Sequence, residues 1–108
     1  MTAPRKPLSP TRLAVLKAIA QNVRYGFDIM DATQLPSGTV YPILGWLERT
    51  TLVRSRWEAI ALAQRDKRPP RRYYEVTATG ARALAVSIDH YRALSAAGGL
   101  GLAKPRRA

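Results

Sequence analysis

Hydrophobic residues recur at helical spacing between residues 37 and 49. At about 100° per residue, four of them share one stripe: Val40, Ile43, Leu44 and Leu47. The opposite side carries small residues and one cation: Gly38, Pro42, Gly45 and Arg49. Because glycine inside a helix costs about 1 kcal/mol relative to alanine, two glycines on the outward side indicate that another surface approaches closely. The pattern predicts a helix that buries one side in the protein and docks the other against a groove. The alternative, a partly irregular turn without functional weight, is favoured if this stretch is taken alone, and the strands that follow favour the helix.

A first helix is predicted at the start of the chain. Ser9 is its N-cap, Pro10 is its first helical residue, and Leu8 can pack onto Leu13. The helix is expected to end near Asn22. Its apolar side consists of Leu13, Leu16, Ile19, Ala20 and Val23.

A second, short helix is predicted to begin at Tyr25, with Phe27 and Met30 pointing into the core. A turn at residues 33–36 leads into the third helix. That helix starts at either Ser37 or Thr39. Pro42 would be the sixth residue of a helix that starts at Ser37, where proline is unfavourable, so the later start is favoured.

Two strands follow the third helix. Residues 52–57 alternate in polarity, so that Val53 and Trp57 share one face, and Trp57 is expected to pack at the strand base. Residues 71–76 form a second β-prone run in which Tyr74 and Val76 share a face. A loop at residues 59–70, ending in a basic, proline-rich tip, joins them. The sequence therefore predicts a mainly α fold with a small two-stranded antiparallel β-wing, a winged helix-turn-helix.

Thr77 is the predicted N-cap of a last helix that runs from about Thr79 to Ala97 and stops at two glycines. This helix is more apolar than one small domain can cover, so it is expected to fold back on the first helix and to pair with a second copy. The predicted dimer interface consists of Leu13, Leu16, Leu84, Ile88, Tyr91 and Leu94. The predicted divisions are a flexible basic arm (1–7), a winged domain (8–77), a dimerisation helix (78–97) and a flexible basic tail (98–108).

Charge points to nucleic acid as a partner. The chain has 108 residues, enough for one small domain. Its formal net charge of +11 gives that domain a strongly basic surface. It contains no cysteine and only one histidine, and we recognise no metal-binding, nucleotide-binding or catalytic spacing. We therefore expect no enzyme activity, no cofactor and no metal. The N-terminus resembles no signal peptide and no apolar run could span a membrane, so a cytoplasmic protein without a membrane partner is expected.

Four motifs carry a resemblance to a known family. They are Tyr25-Gly-Phe-Asp-Ile29, Gly38-Thr-Val-Tyr-Pro-Ile-Leu44, Leu47-Glu48 and Arg71-Arg-Tyr-Tyr-Glu-Val-Thr-Ala-Thr-Gly80. In this order they resemble the PadR family of bacterial transcriptional regulators, over about residues 8 to 95. The resemblance implies a homodimeric repressor that binds double-stranded DNA at a palindromic operator. It also implies release by a small aromatic or amphipathic effector near the dimer interface.

The predicted DNA-binding residues come from the outward side of the third helix and from the wing. They are Ser37, Gly38, Thr39, Tyr41, Pro42, Arg49, Lys67, Arg68, Arg71 and Arg72. The chain departs from the family where Gly45 and Trp46 replace basic residues, which makes reading of guanines by arginine less available from this helix. Trp46 either packs under the wing or touches DNA, and Tyr41 either contacts DNA or covers the domain surface.

Two other functions fit the charge. One is an RNA-binding or ribosome-associated winged domain. The other is a protein-interaction adaptor that has lost specific DNA reading, which Gly45 and Trp46 make conceivable. Neither accounts for a basic wing, a glycine-containing third helix and a dimer-like last helix in one chain.

Overall fold

A computed structural model of the chain describes residues 6–98. Within this range the elements are α1 (Pro10–Ala20), α2 (Gly26–Thr33), α3 (Ser37–Arg49), β1 (Val53–Trp57), α4 (Ile60–Arg65), β2 (Arg72–Val76) and α5 (Ala78–Ala96). The predicted class, mainly α with a two-stranded antiparallel sheet, is confirmed. The predicted basic arm and tail lie outside the described residues, apart from Lys6, Pro7 and Gly98. None of the helices in residues 6–98 is both long enough and apolar enough to cross a membrane.

The first helix begins as its sequence predicts. The Ser9 side chain accepts a hydrogen bond from the backbone N–H of Arg12 at 3.3 Å, and Pro10 opens the first turn. α1 ends at Ala20, two residues earlier than expected, and Asn22 adopts a left-handed conformation with φ 68°. Asparagine tolerates this conformation because its short polar side chain bonds locally.

The turn between α2 and α3 gives the helix-turn-helix. Gln34, at φ 58°, stops α2. α3 then begins at Ser37, the earlier of the two predicted starts, although Pro42 lies inside the helix. The predicted apolar stripe of α3 is confirmed: Val40, Ile43, Leu44 and Leu47 are all buried. They join the single core cluster of the described residues, to which α1, α2, both strands and α5 also contribute.

Two aromatic residues lie outside the core, contrary to expectation. Phe27 is 69% exposed because the inward stripe of α2 passes through Gly26 and Ile29 instead, at helical spacing. Trp57 is 61% exposed. It does lie on the same strand face as buried Val53, but as the last residue of β1 it extends past the edge of the core.

The wing is a hairpin with a folded tip. β1 and β2 pair antiparallel from Val53 opposite Val76 to Trp57 opposite Arg72. A bridge between Tyr25 and Tyr73 attaches the start of α2 to the outer edge of β2. The segment between the strands, expected to be an irregular loop, contains the short helix α4. Ala63 of α4 is only 1% exposed, so this short helix buries one side chain within the wing.

The last helix is fixed at its start by a close backbone contact. The Thr77 side chain caps α5 by accepting the N–H of Gly80 at 3.0 Å, as predicted. The same hydroxyl donates to the backbone carbonyl oxygens of Thr51 and Leu52. A Cβ on Gly80 would overlap the Leu52 carbonyl oxygen and come within 2.9 Å of Val76 Cγ1. Only glycine fits where α5 crosses the start of the wing.

Farther along, α5 holds the N-terminal segment. The Ser87 hydroxyl, fully buried, accepts the backbone N–H of Leu8 at 2.9 Å. The Tyr91 hydroxyl donates to the backbone carbonyl of Leu8 at 2.7 Å. Both backbone groups of a buried residue are thereby satisfied, as burial requires.

We expect Gly80→Ala to lower the free energy of unfolding by about 2–3 kcal/mol, because a well-packed backbone contact must open to admit the methyl group. Gly38→Ala is the matched control. Among residues 6–98, nothing beyond its own helix backbone and chain neighbours lies within 4 Å of its added Cβ, so alanine should raise the free energy of unfolding by about 0.5–1 kcal/mol through helix propensity. Urea unfolding followed by circular dichroism measures both. Equal effects of the two substitutions would contradict the proposed contact.

Candidate DNA-binding surface

The outward side of α3 is small, polar and open. Its exposed residues are Ser37, Gly38, Tyr41, Pro42 and Arg49, while Thr39 and Gly45 are half-buried. Nothing in the described residues lies within 4 Å of a Cβ added at Gly38. Five of the six residues predicted for DNA contact on this helix are therefore exposed, and Thr39 is half-buried.

Tyr41 lies between the two helices of the helix-turn-helix. It is 52% exposed, and a Cβ on Gly26 would come within 2.8 Å of its ring. The absence of a side chain at Gly26, the first residue of α2, thus makes room for the phenol. Tyr41 covers part of the domain surface and still presents half of its own surface to solvent, so both interpretations of this residue are compatible with its position.

A polar network attaches the wing to α3. The Ser55 hydroxyl donates to a Glu48 carboxylate oxygen at 2.7 Å, and Arg72 Nε donates to Ser55 Oγ at 2.9 Å. A terminal nitrogen of Arg72 lies 3.2 Å from the Glu48 carboxylate, and its guanidinium lies 5.3 Å from the Trp57 ring. Arg72 therefore helps to hold the wing against the C-terminal half of α3.

Arg68 has a different position from the one expected. Its terminal nitrogens donate to both carboxylate oxygens of Glu58, at 2.6 and 2.8 Å, and one of them also reaches Asp66 at 3.3 Å. Glu58 is 8% exposed and also accepts from the Arg71 N–H and the Tyr73 hydroxyl. Carboxylates engage the Arg68 guanidinium, which gives this residue a structural role, and its contact with DNA stays a prediction. Arg68 closes the wing tip.

These hydrogen bonds also determine the protonation of the tip. Hydrogen bonding from the Arg68 guanidinium holds the pKa of Glu58 down at about 2, against an ordinary value of 4.5. The hydrogen bond to Glu58 in turn raises the pKa of Arg68. Both groups are therefore charged at neutral pH.

Two of the four wing cations predicted to contact DNA have no carboxylate partner within residues 6–98. Lys67 is exposed at the end of α4, with φ 57°. Arg71 is half-buried, forms no salt bridge within residues 6–98, and places its guanidinium 4.2 Å from the centre of the Tyr25 ring. Arg56, which was not predicted, is exposed on the outer face of β1, where the alternation of the strand could have indicated it.

Trp46 packs neither under the wing nor on the outward side. The Arg12 guanidinium lies 3.8 Å from the centre of its ring, and the half-buried indole packs against the core. This cation–π contact joins α1 to α3.

A cleft of about 850 Å³ separates the wing from the start of α2 and from α3. It is lined by Tyr25, Gly26, Phe27, Asp28, Tyr41, Trp57, Arg68, Pro69, Pro70, Arg71, Arg72 and Tyr74. Burial raises the pKa of the Tyr25 and Tyr74 phenols, so both carry their protons at neutral pH. Phe27 and Trp57, both largely exposed, line this cleft.

The predicted interface residues are divided between the core and the surface. Leu16 is fully buried within the chain, so it has no surface to offer a second copy and is removed from the interface. Leu13 and Leu84 are half-buried against the core. Ile88, Tyr91 and Leu94 are half-buried along α5, and Val86 is 39% exposed on the same helix.

An open helix face with a wing held beside it places the chain among the winged helix-turn-helix proteins that bind DNA. The family described as "Transcriptional regulator PadR-like family" matches residues 15–86. The chain belongs to this family of transcriptional regulators. It is therefore a DNA-binding regulator and not an enzyme, which also disfavours the RNA-binding and adaptor alternatives.

Solved structures share the fold at low sequence identity. A PadR family regulator from Clostridium difficile R20291 is 21% identical, with a TM-score of 0.72 over 87% of this chain and 99% of the other. BpsR from Bordetella bronchiseptica is 18% identical, with a TM-score of 0.70 over 96% and 74%. A MepR variant from S. aureus, bound to an oligodeoxyribonucleotide, is 19% identical, with a TM-score of 0.64 over 83% and 62%. No curated protein sequence matches the chain.

Acid should destabilise the wing tip through Glu58. Because the folded pKa lies below the ordinary value, its contribution to the free energy of unfolding is present above about pH 4.5 and lost as pH falls toward about 2. Glu58→Gln should lose stability at neutral pH and lack this part of the acid dependence. Urea unfolding of both proteins across that pH range measures the difference.

Glu75→Gln is the control for this measurement. Glu75 pairs with Arg54 at 3.3 Å, but the two side chains are 45% and 72% exposed. Exposed ion pairs contribute little, so this substitution should leave the pH profile nearly unchanged. An unchanged acid dependence in Glu58→Gln would contradict the role given to the Glu58–Arg68 pair.

Proposed function

We propose that the chain is a homodimeric, sequence-specific repressor that binds a palindromic operator with α3 in the major groove. The observation that carries this proposal is the open side of α3. Ser37, Thr39 and Tyr41 offer hydroxyl groups there, while Gly38 and Pro42 keep the helix thin. Side-chain hydroxyls hydrogen-bond to base edges, and small residues let a helix approach the floor of the groove.

The start of α3 supports a phosphate contact as well. The residue before the helix is Pro36, and no side chain caps the helix N-terminus. The first backbone N–H groups of a helix lack partners within the helix and carry partial positive charge, which favours an anion. A DNA phosphate beside Ser37 would meet both needs and fix the helix in register.

The wing is proposed to follow the DNA backbone. Lys67 and Arg71 are the predicted wing cations without carboxylate partners in the described residues, and the Glu48–Ser55–Arg72 network attaches the wing to α3. Contacts of this kind neutralise phosphates and release counterions, so binding should weaken steeply with salt. Arg49, exposed at the other end of α3, adds a third cation to the surface.

Pairing of two copies is proposed to run through α5. Ile88, Tyr91 and Leu94 recur at helical spacing and are half-buried without belonging to the core cluster. A second copy would cover this stripe and place the two α3 helices about one turn of DNA apart, roughly 34–36 Å. Such a regulator of transcription would act in the cytoplasm.

Regulation by a small aromatic or amphipathic effector is part of the proposal. BpsR, which shares the fold, has its DNA binding regulated by 6-hydroxynicotinic acid. The same fold can therefore couple an aromatic ligand to DNA binding.

Contacts to DNA phosphates and contacts to DNA bases should respond differently to substitution. Lys67→Gln is expected to weaken binding to all duplexes alike and to lower the slope of log K against log salt by about one. Tyr41→Phe is expected to reduce the preference for the operator over random duplex by about tenfold, because one base contact is lost. Fluorescence anisotropy with an operator selected from random duplex DNA measures both.

Arg82→Gln is the matched control, because it removes one exposed positive charge from α5 at a distance from the proposed surface. It should leave the salt slope and the operator preference unchanged. Equal losses on operator and random duplex for Tyr41→Phe would contradict the placement of α3 in the major groove.

Dimerisation should fail when a charge enters the α5 stripe. Ile88→Glu is expected to give a monomer in sedimentation equilibrium and a large loss of operator affinity, because each copy then binds one half-site alone. Ala93→Glu places the same charge on the opposite side of α5, at about 100° per residue, and should stay dimeric. A dimer in both variants would exclude this stripe as the interface.

A further inference from the structure

We propose that the wing tip inserts the Ile60 side chain into the minor groove beside each half-site, as an apolar wedge that unstacks one base step and bends the operator. This inference deepens the proposed function and rests on it. It gives the wing a part in sequence selection, which contacts between wing cations and phosphates do not supply.

An apolar run is exposed at the wing tip. Ala59, Ile60, Ala61 and Leu62 are four consecutive exposed apolar residues. Ile60 is 64% exposed and Leu62 is 42% exposed, whereas Ala63 is the one buried residue of α4. Three or four exposed apolar residues in a row are unfavourable in a soluble domain unless they serve a function. The packing of the wing accounts for Ala63 and leaves the run before it without a structural role.

The run lies at the end of the hairpin that points away from the core. The strands pair from Val53 opposite Val76, which pack on the core, to Trp57 opposite Arg72, and α4 begins three residues after Trp57. A polar network holds this hairpin beside α3. When a helix occupies a major groove, the neighbouring minor groove lies about half a helical turn away, or roughly five base pairs. The tip of a wing beside α3 is placed to reach that groove.

The charges around the run suit the minor groove. Arg56, Arg65 and Lys67 are exposed and form no salt bridge within residues 6–98. Proteins that kink DNA from the minor groove combine such cations with an inserted aliphatic or aromatic side chain. An acidic protein surface would also match these cations. DNA is the better match, because the chain belongs to a family of DNA-binding regulators and the proposed complex already places a duplex beside the wing.

The tip is rigid enough to act as a wedge, which base stacking would otherwise push aside. The Glu58 carboxylate accepts from both terminal nitrogens of Arg68, at 2.6 and 2.8 Å. The Arg68 N–H donates to the carbonyl oxygen of Ala63 at 3.1 Å, and the Glu58 N–H donates to that of Arg71 at 2.8 Å. These bonds fix both ends of α4 to the hairpin.

Only one of the two large aliphatic residues can enter the stack at a time. At about 100° per residue, Ile60 and Leu62 lie on nearly opposite sides of α4. Ile60 is the more exposed of the two, and its β-branched side chain is stiff about χ1. We therefore assign the wedge to Ile60.

A wedge of this kind selects the base step that opens most easily. Pyrimidine–purine steps such as TA unstack and kink at low cost, whereas A-tracts are stiff. The operator should therefore carry a pyrimidine–purine step about five base pairs from the centre of each half-site. The protein would recognise this step without a hydrogen bond to a base.

The test uses the full chain and an operator selected from random duplex DNA, in which only the flanking step is changed between TA and AA. 2-Aminopurine at the step reports unstacking by a rise in fluorescence, and energy transfer between dyes at the duplex ends reports the bend. The native chain should raise the fluorescence, bend the TA operator by about 20–90° and bind it about tenfold more tightly than the AA operator.

Ile60→Ala should remove the fluorescence rise, most of the bend and the tenfold preference. It should leave the fold and the salt slope unchanged, because the side chain is exposed and uncharged. Leu62→Ala is the matched control, since it removes an exposed aliphatic side chain from the other side of the same helix, and it should behave like the native chain. A bend and a step preference that persist in Ile60→Ala would overturn the proposal.

Failure of the wedge is distinguishable from failure of the proposed function. A native chain that selects an operator, leaves it straight and binds the TA and AA forms equally overturns the wedge alone. A chain that selects no operator overturns both. If Ile60→Ala keeps the bend and instead lowers the dimer fraction in sedimentation equilibrium, the exposed run is a contact between copies and not a wedge.

Discussion

The rest of the structure depends on the backbone around Leu52. This residue is fully buried, and its N–H donates to the carbonyl of Leu47 at the end of α3. Its own carbonyl accepts from the Thr77 N–H and from the Thr77 hydroxyl, and Gly80 lies against it. The backbone N–H and C=O of this one residue thus join the end of α3 to the segment that leads into α5, directly before the first wing strand. Because buried carbonyls must be paired, the three elements cannot separate one at a time without leaving a polar group unsatisfied.

Local sequence determines much of this architecture. Ser9 with Pro10, and Thr77 with Gly80, carry enough information to place two helix starts, because capping acts over three or four residues. The α3 stripe was equally readable from its period. Phe27 was misjudged because a neighbour one position away, Gly26, occupies the inward side, and glycine gives no hydrophobic signal. Trp57 obeys the strand alternation, but alternation gives no information on where the core ends.

Contacts between residues distant in sequence were harder to foresee. The sequence shows a basic loop where the structure has α4, a buried Ala63 and the Glu58–Arg68 pair. Glu58 and Arg68 lie ten positions apart, and no helical or strand period relates them. The Arg12–Trp46 contact likewise joins two helices. Such pairs form only when the topology brings the elements together. The sequence could therefore locate the candidate surface on α3 and the wing, but it could not show which of the cations there pair with carboxylates.

The clamp on Leu8 has a mechanical consequence. Ser87 and Tyr91, which lie 79 and 83 residues further along the chain, both hydrogen-bond to the backbone of Leu8. They lie one turn apart on α5 and bind the N–H and the carbonyl of the same residue. A rotation of α5 about its long axis would strain both bonds together, the buried one to Ser87 and the partly buried one to Tyr91. The helix is thereby coupled to the entrance of α1 as a rigid lever, and a displacement at its far end is transmitted to the body of the molecule.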